Sequence, residues 1–418
     1  MNIRIRKGNI GGTIFAPSSK SFTQRYILYS AFSGKPVKLN NISFSEDEIV
    51  SLKIAEKCNS VIEYDRKNIT LNPDFRCPDS LYVGESGTSY RLTIGLLCAR
   101  KCQTSITGEP SLARRPVDPL ISALSQAGSK FHKKDDGFYS VDGEYASNIP
   151  VEIDGSISSQ YVSSMLFYYS LKGGGSFIAN STVSTDYLKI TENCLANFGV
   201  DVYTDGSTYN IDCGTYSEKT VDIEGDYSSA SYFIVLGIFA GNITIKNLNY
   251  KSLQPDRAII DLLNAATGCI NVKRTEIFIR KAESIKKITL DAAISPDLAP
   301  VMSVIGIFSE EGIRIYNYQR LRAKESDRFT GIVNMCRSFG ADVVINESFI
   351  EIRKGQIKFP GYIEYNDHRM IMSSIIASAI ADSNTEFGKC ENINKSFPEF
   401  LNDLKKIGFD IYFNANLF

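Results

Sequence analysis

The sequence contains little histidine, and its cysteines follow no spacing typical of a metal site or a disulfide framework. Only two histidines are present, His132 and His368, which excludes a histidine-rich metal centre. The nine cysteines are scattered without CxxC spacing, which is typical of reduced thiols in a cytosolic protein rather than of a disulfide framework or zinc site. Cys98 and Cys102, spaced CxxxC, are interpreted as buried structural thiols. We expect free cysteines and no bound metal.

Long apolar runs and common nucleotide motifs are also absent. No uninterrupted apolar run is long enough to span a bilayer, and the N-terminal stretch, MNIRIRKGNIGG, lacks an apolar signal region. These features predict a cytoplasmic protein without a membrane partner. The formal net charge of −1 argues against a dedicated nucleic-acid or membrane-surface binder. The motifs GxxxxGK[ST], GxGxxG and HExxH are missing, so conventional phosphate loops and zinc-protease sites are excluded.

What the chain does contain is a repeat. Its 418 residues are too many for one compact core, and 43% hydrophobic with 22% charged residues describes an ordinary soluble globular protein of two or more domains. Six short turns rich in small or polar residues each precede an apolar helix of about three turns. They begin at Ser18, Ser86, Ile157, Asp226, Ser295 and Asn366, so that successive turns are almost equally spaced along the chain. Near-equal intervals indicate six copies of one supersecondary unit.

Each copy has the same pattern of predicted elements, βαβαββ. A short strand precedes the turn, the first helix follows it, and a β-branched strand such as 242–246 comes next. A second, amphipathic helix then ends at a glycine, and two strands around a polar turn close the copy. Residues 1–17 would supply the leading strand of the first copy, and the last copy would end at the C-terminus. A period this long favours three copies per domain over a solenoid or propeller. We therefore predict two pseudo-symmetric domains with a cleft between them.

Charged residues lie repeatedly on or beside these turns. A helix start offers unpaired N–H groups and a partial positive charge, and glycine lets a ligand approach the backbone, as in the stretch Gly84–Leu97. Arginine binds carboxylate and phosphate in a bidentate manner, and lysine supplies a mobile charge. Two carboxylates among these cations, Asp297 and Glu325, could accept and donate protons. The pattern indicates a cleft for two highly anionic small substrates.

Nine stretches of the chain, between about Gly11 and Pro398, resemble the 5-enolpyruvylshikimate-3-phosphate synthase family of enolpyruvyl transferases. They are PSSKSFTQR (17–25), ESGTSYR (85–91), RRP (114–116), SISSQ (156–160), GDYSSASYF (225–233), PDLAP (296–300), KESDR (324–328), NDHRM (366–370) and KSFPEF (395–400). The resemblance implies an α/β fold of α+β type, with two inverse α/β-barrel-like domains of three βαβαββ repeats each. The implied domains are 1–18 plus 226–418 and 19–225, with hinges near 16–20 and 223–226.

The resemblance also implies the reaction: transfer of the enolpyruvyl group of phosphoenolpyruvate to the 5-hydroxyl of shikimate 3-phosphate, in aromatic amino-acid (chorismate) biosynthesis. It implies no metal or organic cofactor, no nucleic acid and a monomer. Asp297 would accept the hydroxyl proton, while Glu325, with Lys20, protonates the methylene carbon. The residues implied for phosphoenolpyruvate are Lys20, Gly87, Arg91, Arg115, Gln160, Arg328, Arg369 and Lys395. Those implied for shikimate 3-phosphate are Lys20, Ser21, Arg25, Ser158, Ser159, Gln160, Ser184, Tyr187, Asp297 and Lys324.

Six residues, at four places in the chain, depart from the family pattern. Glu85 and Ser86 replace an Asn-Ala pair, so Glu85 is either turned away from the anion site or paired with a neighbouring cation. Leu92 replaces a proline, which predicts altered sensitivity to competitors of phosphoenolpyruvate such as glyphosate. Arg320 replaces an asparagine near the shikimate ring, and Thr185-Asp186 replaces Lys-Pro, which leaves the phosphate pocket one cation poorer.

Two alternative functions share part of this pattern. The related transferase that acts on UDP-N-acetylglucosamine uses a loop cysteine and an asparagine after its N-terminal lysine. Here Ser21 follows Lys20, and no cysteine occurs in 108–116, which disfavours that activity. The second alternative is a non-catalytic homologue that only binds anions. The joint presence of Asp297, Glu325, Lys20 and Lys395 argues against it.

Overall fold

The computed structural model describes residues 1–145 and 150–414, and it divides the chain into two compact units. Unit 1 comprises Met1–Pro17 and Glu224–Phe418, and unit 2 comprises Ser18–Ile223. Each unit has its own cluster of buried hydrophobic side chains. No helix in the described part of the chain is long and apolar enough to cross a membrane.

The strands, numbered along the chain, are β1 (Asn2–Lys7), β2 (Gly12–Phe15), β3 (Val37–Asn40), β4 (Ser60–Asp65), β5 (Asn68–Pro73), β6 (Ser80–Tyr82), β7 (Gln103–Thr107), β8 (Lys130–Lys133), β9 (Tyr139–Asp142), β10 (Glu152–Asp154), β11 (Gly175–Asn180), β12 (Val200–Asp205), β13 (Thr208–Cys213), β14 (Lys219–Asp222), β15 (Ile243–Lys246), β16 (Ile270–Val272), β17 (Glu276–Ile279), β18 (Ile288–Asp291), β19 (Ile313–Tyr316), β20 (Asp342–Ile345), β21 (Phe349–Arg353), β22 (Tyr362–Glu364), β23 (Glu386–Gly388) and β24 (Phe409–Asn414).

The α-helices are α1 (Lys20–Ser33), α2 (Glu46–Lys57), α3 (Gly87–Ala99), α4 (Pro110–Ala113), α5 (Asp118–Gln126), α6 (Ser159–Lys172), α7 (Asp186–Asn197), α8 (Tyr227–Ala240), α9 (Ala258–Thr267), α10 (Ala299–Phe308), α11 (Arg328–Ser338), α12 (His368–Ala381) and α13 (Phe400–Lys406). Short 3₁₀ helices span Pro255–Arg257, Tyr318–Ala323 and Cys390–Lys395.

The strands form six four-stranded sheets, three in each unit. In unit 2 the strand orders are β14-β3-β5-β4, β6-β7-β9-β8 and β10-β11-β13-β12. In unit 1 they are β16-β17-β15-β2, β18-β19-β21-β20 and β22-β23-β1-β24. A leading strand pairs in parallel with the next strand of its sheet, for example β6 with β7, and the first helix of the copy makes the crossover. The predicted mixed α/β repeat fold is therefore observed.

The first helix of each copy is buried on nearly all sides. In unit 2, α3 packs against both α1 and α6, and in unit 1 the helices α8, α10 and α12 pack against one another. Their sequences are apolar or small around the whole circumference, as expected for helices enclosed by other elements. Gly95 permits the closest approach: a Cβ at this position would lie 2.5 Å from the carbonyl oxygen of Ser164 on α6.

The chain passes from one unit to the other twice, after β2 and after β14. At both places the strand pairing departs from that of six copies following one another in sequence. Strand β2, which leads the first copy in sequence, pairs in parallel with β15, and β14, which leads the fourth, pairs in parallel with β3. The last copy is also incomplete on its own, because β1 lies between β23 and β24 and pairs antiparallel with both. The prediction that residues 1–17 complete the first copy is wrong, since both strands of this segment belong to sheets of unit 1.

The prediction that all cysteines are free is wrong for one pair, Cys77 and Cys102, which form a disulfide with a Cα–Cα distance of 5.3 Å. Parallel pairing of β6 with β7 explains this contact. In that register Ser80 lies opposite Ser105, and both cysteines precede these residues by three positions. Of the other seven cysteines, which are free thiols, only Cys213 is exposed.

Candidate active site

In unit 2 the predicted anion-binding residues lie at the N-terminal ends of buried helices. Ser86 and Ser158 cap α3 and α6, each accepting a hydrogen bond from a backbone N–H of the first turn. The start of α1 is joined to that of α3 by Gln24, whose Nε2 donates to Ser86 Oγ at 2.8 Å and to Ser89 Oγ at 2.9 Å. Helix ends that carry unpaired N–H groups are therefore gathered at one place in unit 2.

Gly87, Arg91, Arg115 and Gln160 are brought into direct contact, and with Lys20 they are called the unit 2 cluster. Arg91 donates from Nη1 to Gln160 Oε1 at 2.7 Å and from Nη2 to the carbonyl of Pro116 at 3.0 Å. The guanidinium of Arg115 lies close over Gly87: a Cβ built on residue 87 would be 2.6 Å from Arg115 Nη1. A side chain at position 87 would therefore displace the guanidinium of Arg115.

Lys20 and Arg25 both lie on α1, in different surroundings. Lys20 Nζ pairs with Asp47 Oδ2 at 2.7 Å in a partly buried contact. Arg25 is buried and donates to Thr191 Oγ1 and to the Ser21 carbonyl, both at 2.8 Å. Burial lowers the pKa of Arg25 to about 10, opposed in part by Cys194 and Tyr187. The guanidinium nevertheless stays charged at neutral pH.

The remaining predicted residues of unit 2 flank these helix starts. Ser158, Ser159 and Gln160 form the cap and first turn of α6, and Gln160 Nε2 donates to Thr88 Oγ1 at 2.8 Å. Ser184 lies just before α7, with a φ of 51°, and its carbonyl accepts from the N–H of Tyr187 at 3.0 Å. Hydroxyl groups and cations are therefore both present at this end of unit 2.

In unit 1 a buried guanidinium organises the site. Arg328, with no exposed side-chain surface, binds three carboxylates: Asp297 from Nη1 at 2.6 Å, Asp367 from Nε at 2.8 Å, and Glu325 from Nη2. Arg369 Nη2 pairs with the second oxygen of Asp297 at 2.8 Å. We call Asp297, Lys324, Glu325, Arg328, Asp367 and Arg369 the unit 1 cluster. Both predicted acid–base carboxylates are thus held by one arginine.

These ion pairs determine the charge states of the cluster. Burial would raise the pKa of Asp297, but Arg369 and Arg328 outweigh it and hold this pKa well below its usual range. The pKa of Arg328 is raised despite burial, because Asp367, Glu325 and Asp297 surround it. Burial lowers the pKa of Lys324 to about 8, and Asp297 opposes the shift. Asp297 is therefore ionised, and Lys324 titrates close to neutrality.

Helix starts also position the unit 1 cluster. Asp367 caps α12, accepting from the backbone N–H of Arg369, and Asp327 caps α11 at the backbone N–H of Thr330. Lys395 ends a 3₁₀ helix that packs against α12. Arg320 lies on the 3₁₀ helix before Lys324 and donates from Nη1 to the Ala293 carbonyl at 2.8 Å. Arg328 and Arg369, at the starts of α11 and α12, therefore bring Asp297 and Glu325 together.

Three carboxylates, one paired within unit 2 and two buried in unit 1, are not among the predicted functional residues. Asp47 pairs with Lys20, Asp367 pairs with Arg328, and Asp256 is buried and accepts a hydrogen bond from Ser228. Burial raises the pKa of Asp256 to about 7, and Asp297 adds to the shift. The sequence does place Asp47 in the first turn of α2, because Ser45 and Glu48 form a capping box there.

Comparison with solved structures identifies the fold. A structure of EPSP synthase from Acinetobacter baumannii matches with a TM-score of 0.80 at 23% identity, covering 99% of this chain and 100% of that one. The fold is therefore that of an EPSP synthase, and the predicted fold class is confirmed.

Comparison of sequences identifies the family. The family model of EPSP synthase (3-phosphoshikimate 1-carboxyvinyltransferase) matches residues 5–404. A curated 3-phosphoshikimate 1-carboxyvinyltransferase from Picrophilus torridus is 48% identical over 98% of this chain and 100% of its own length. Another from Thermoplasma volcanium is 43% identical over 96% of this chain and 98% of its own length. The chain belongs to the EPSP synthase family, and the predicted family and enzyme class are confirmed. The individual residue roles, the monomeric state and the cytoplasmic location stay predictions.

Proposed function

We propose that the chain transfers the enolpyruvyl group of phosphoenolpyruvate to the 5-hydroxyl of shikimate 3-phosphate and releases phosphate. The observation that supports this most strongly is the unit 1 cluster, in which Asp297 and Glu325 both bind the buried guanidinium of Arg328. Two carboxylates held on one cation supply a proton acceptor and a proton donor at a site that also binds anions. Family membership supports the same reaction.

The binding roles follow from charge and position. Lys20, Arg91, Arg115, Arg328, Arg369 and Lys395 are proposed to hold phosphoenolpyruvate, with Gly87 and Gln160 shaping the place where it binds. Shikimate 3-phosphate is assigned to Ser21, Arg25, Ser158, Ser159, Ser184, Tyr187 and Lys324, with Lys20, Gln160 and Asp297. Arginine forks suit carboxylate and phosphate oxygens, and serine hydroxyls suit the remaining phosphate and hydroxyl oxygens.

The chemical steps divide between the two carboxylates. Asp297 accepts the proton of the 5-hydroxyl as the hydroxyl oxygen bonds to C2 of phosphoenolpyruvate. The protonated form of Glu325, with Lys20 as a second proton source, gives a proton to the C3 methylene. The product of this addition is a tetrahedral intermediate that is not attached to the protein. Cleavage of the bond between C2 and the phosphate oxygen then releases phosphate, while the Glu325 carboxylate takes a proton back from C3 and the double bond is restored. Asp297 returns its proton to the departing phosphate, so both carboxylates regain their starting protonation states. The fixed cations stabilise the charge that develops at each stage.

The ion pairs of Asp297 add a condition to this mechanism. Both carboxylate oxygens bind arginines that are assigned to phosphoenolpyruvate, Arg328 and Arg369. An incoming carboxylate or phosphate must therefore compete with Asp297 for these groups. Once the anion has taken them over, the interactions that hold the pKa of Asp297 down are weakened, and Asp297 becomes a better proton acceptor. Substrate binding thus activates the base.

The substitution Asp297→Asn tests both the base and the competition. We expect turnover, followed by phosphate release with both substrates, to fall by about 10²–10⁴-fold because the proton acceptor is lost. We also expect phosphoenolpyruvate to bind the variant more tightly in calorimetry, because two arginines lose an internal carboxylate. Glu310→Gln, at an exposed ion pair with Lys354, is the matched control and should change neither quantity.

The two readouts separate the two ideas. Wild-type turnover in Asp297→Asn would exclude Asp297 as the base. Weaker phosphoenolpyruvate binding in the same variant would show that Asp297 orients the arginines rather than competing with the substrate.

A further inference from the structure

Arg115 lies on a segment that has little structure of its own. It follows α4, a helix of a single turn, and its N–H donates to the Leu112 carbonyl at 3.0 Å. Its guanidinium nevertheless lies tightly over the turn at Gly87, 2.6 Å from the place a Cβ would occupy. Fixing the backbone of Arg115 relative to α3 reduces the conformational entropy that is lost when this long, rotatable side chain is held there.

Contacts on one side of α4 provide this attachment. The N–H of Glu109 donates to the Gly84 carbonyl at 2.9 Å, and the hydroxyl of Tyr82 donates to the Glu109 carboxylate. Ser111 Oγ donates to Glu85 Oε1 at 2.5 Å. The acceptor of that last bond is a carboxylate, and hydrogen bonds to charged acceptors are about twice as strong as neutral ones. Residues 82–85 therefore hold residues 109–111 at three places.

Glu85 lies where its hydrogen bond can fix the segment that carries Arg115 to the start of α3. It directly precedes Ser86, the side-chain cap of α3, and Gly87, the first residue of that helix. Ser111 is only four positions before Arg115, with the buried Leu112 between them. The Glu85–Ser111 bond therefore joins the turn that lies beneath the arginine to the segment that carries it. Glu85 therefore accepts a hydrogen bond from the segment 109–116, and the two alternatives stated for it from the sequence stay predictions.

We propose that Glu85 is a positioning residue that holds Arg115 over Gly87 through its hydrogen bond with Ser111, and so sets the affinity for phosphoenolpyruvate. The inference rests on the proposed function, in which Arg115 binds that substrate. Glu85 does not touch the reacting atoms. Its loss changes the placement of a binding group and leaves the acid–base carboxylates of unit 1 unaltered.

The test compares KM for each substrate and kcat in four variants of the full chain. Ser111→Ala removes only the donor, and Glu85→Ala removes the acceptor; each should raise KM for phosphoenolpyruvate about tenfold, with kcat and KM for shikimate 3-phosphate within about threefold of wild type. Glu85→Gln should be clearly less impaired than Glu85→Ala, because its amide oxygen still accepts the bond, although the neutral acceptor makes the bond weaker. The double variant Glu85→Ala/Ser111→Ala should be no worse than Glu85→Ala, since the Ser111 hydroxyl has already lost this acceptor in that single variant.

Two controls make the outcomes distinct. Glu63→Ala, at an exposed position on β4, should leave all three constants unchanged. Arg115→Ala tests the proposed function itself: a wild-type KM in this variant would remove Arg115 from the phosphoenolpyruvate site. If Arg115→Ala is impaired but Ser111→Ala is normal, or if Glu85→Gln is as impaired as Glu85→Ala, the positioning role of Glu85 is overturned while the proposed function stands.

Discussion

Arg328 shows why a guanidinium rather than an ammonium group lies at the centre of unit 1. Its three nitrogens face three different carboxylates, on Asp297, Glu325 and Asp367, in fixed directions. A lysine has a single charged nitrogen on a flexible stem and could not orient three partners in this way. A buried guanidinium without partners would be strongly unfavourable, so the carboxylates and the arginine require one another. The cluster is consequently preorganised before any substrate binds.

The charge of the Lys324 side chain should make KM for shikimate 3-phosphate depend on pH. Burial lowers its pKa to about 8, and it binds shikimate 3-phosphate in the proposed function. Below this pKa the ammonium is charged and attracts the substrate; above it the neutral amine does not. We expect KM for shikimate 3-phosphate to be constant from about pH 6.5 to 7.5 and to rise about tenfold per pH unit well above pH 8, with kcat at saturation little changed. Initial-rate kinetics across this range provide the measurement.

Lys324→Arg is the control for that profile. An arginine keeps its charge throughout the range, so the rise in KM above about pH 8 should disappear, whatever its absolute KM. A wild-type KM that stays flat through the alkaline range would contradict the assignment of Lys324 to the substrate. A rise that persists unchanged in Lys324→Arg would assign the titration to another group.

At the residue scale, the sequence predicts the positions of charged residues near helix starts better than it predicts which of these residues form ion pairs with one another. Arg328, Asp297 and Glu325 could be selected because they lie beside repeated helix starts. Asp367 belongs to the same quoted stretches, yet its pairing with Arg328 depends on the packing of α11 beside α12. Pairing partners are set by tertiary contacts, and a repeat period carries no information on side-chain direction.

At the scale of elements, the closest helix contact is that between α3 and α6. Gly95 faces Ser164, whose hydroxyl donates to the carbonyl of Arg91 at 2.7 Å. The contact therefore places the helix that carries Arg91 directly against the helix that carries Gln160. The sequence predicts both helices from their apolar character, but the role of one glycine inside a helical run becomes apparent only from the packing.

Gly95→Ala should destabilise the protein although alanine is the better helix former. The new Cβ would clash with Ser164 Oγ and lie 2.5 Å from the Ser164 carbonyl oxygen, and the backbone atom cannot rotate away. Overpacking of this kind costs about 1–3 kcal/mol. Thermal unfolding followed by circular dichroism should show a lower Tm.

Gly331→Ala on α11 is the matched control for helix propensity. Its Cβ would meet only side-chain atoms of Met370, at 3.4 Å, and a methionine side chain can adapt. We expect an unchanged or slightly raised Tm, since alanine is favoured over glycine inside a helix by up to about 1 kcal/mol. Equal Tm values for Gly95→Ala and the wild type would mean that α3 and α6 can separate without loss.

At the scale of the whole molecule, chain order and unit composition do not coincide. The segment Met1–Pro17 contributes β1 and β2 to unit 1, although unit 2 follows directly in sequence. The six near-equal intervals predict the copies correctly, because every copy has to place a similar helix at a similar distance. They cannot predict the exchange of β2 and β14, because both strands are short, similar in pattern and equally able to pair in parallel with β3 or β15.

Because unit 1 takes β1 and β2 from the start of the chain, fragments of the chain should differ in their ability to fold. Residues 224–414 alone lack β1, which separates β23 from β24, and β2, which pairs with β15. They also lack Ile3, Ile5 and Ile14, all buried in the core of unit 1. We expect this fragment to show no cooperative thermal unfolding. Residues 18–223 contain every strand of their three sheets and should fold as a separate protein with a cooperative transition.

Moving the N-terminal segment to the other end should restore unit 1. Asn2 lies opposite Asn414 in the antiparallel pair of β1 and β24, so a linker of about four glycine and serine residues can join residue 414 to residue 2 as a hairpin. The fragment 224–414 followed by residues 2–17 should then unfold cooperatively, whereas the same fragment with a shuffled version of that segment should not. If the shuffled version unfolds as cooperatively as the native one, residues 2–17 are dispensable for unit 1. The buried isoleucines then contribute nothing essential, and the sheet can close without its inserted strand.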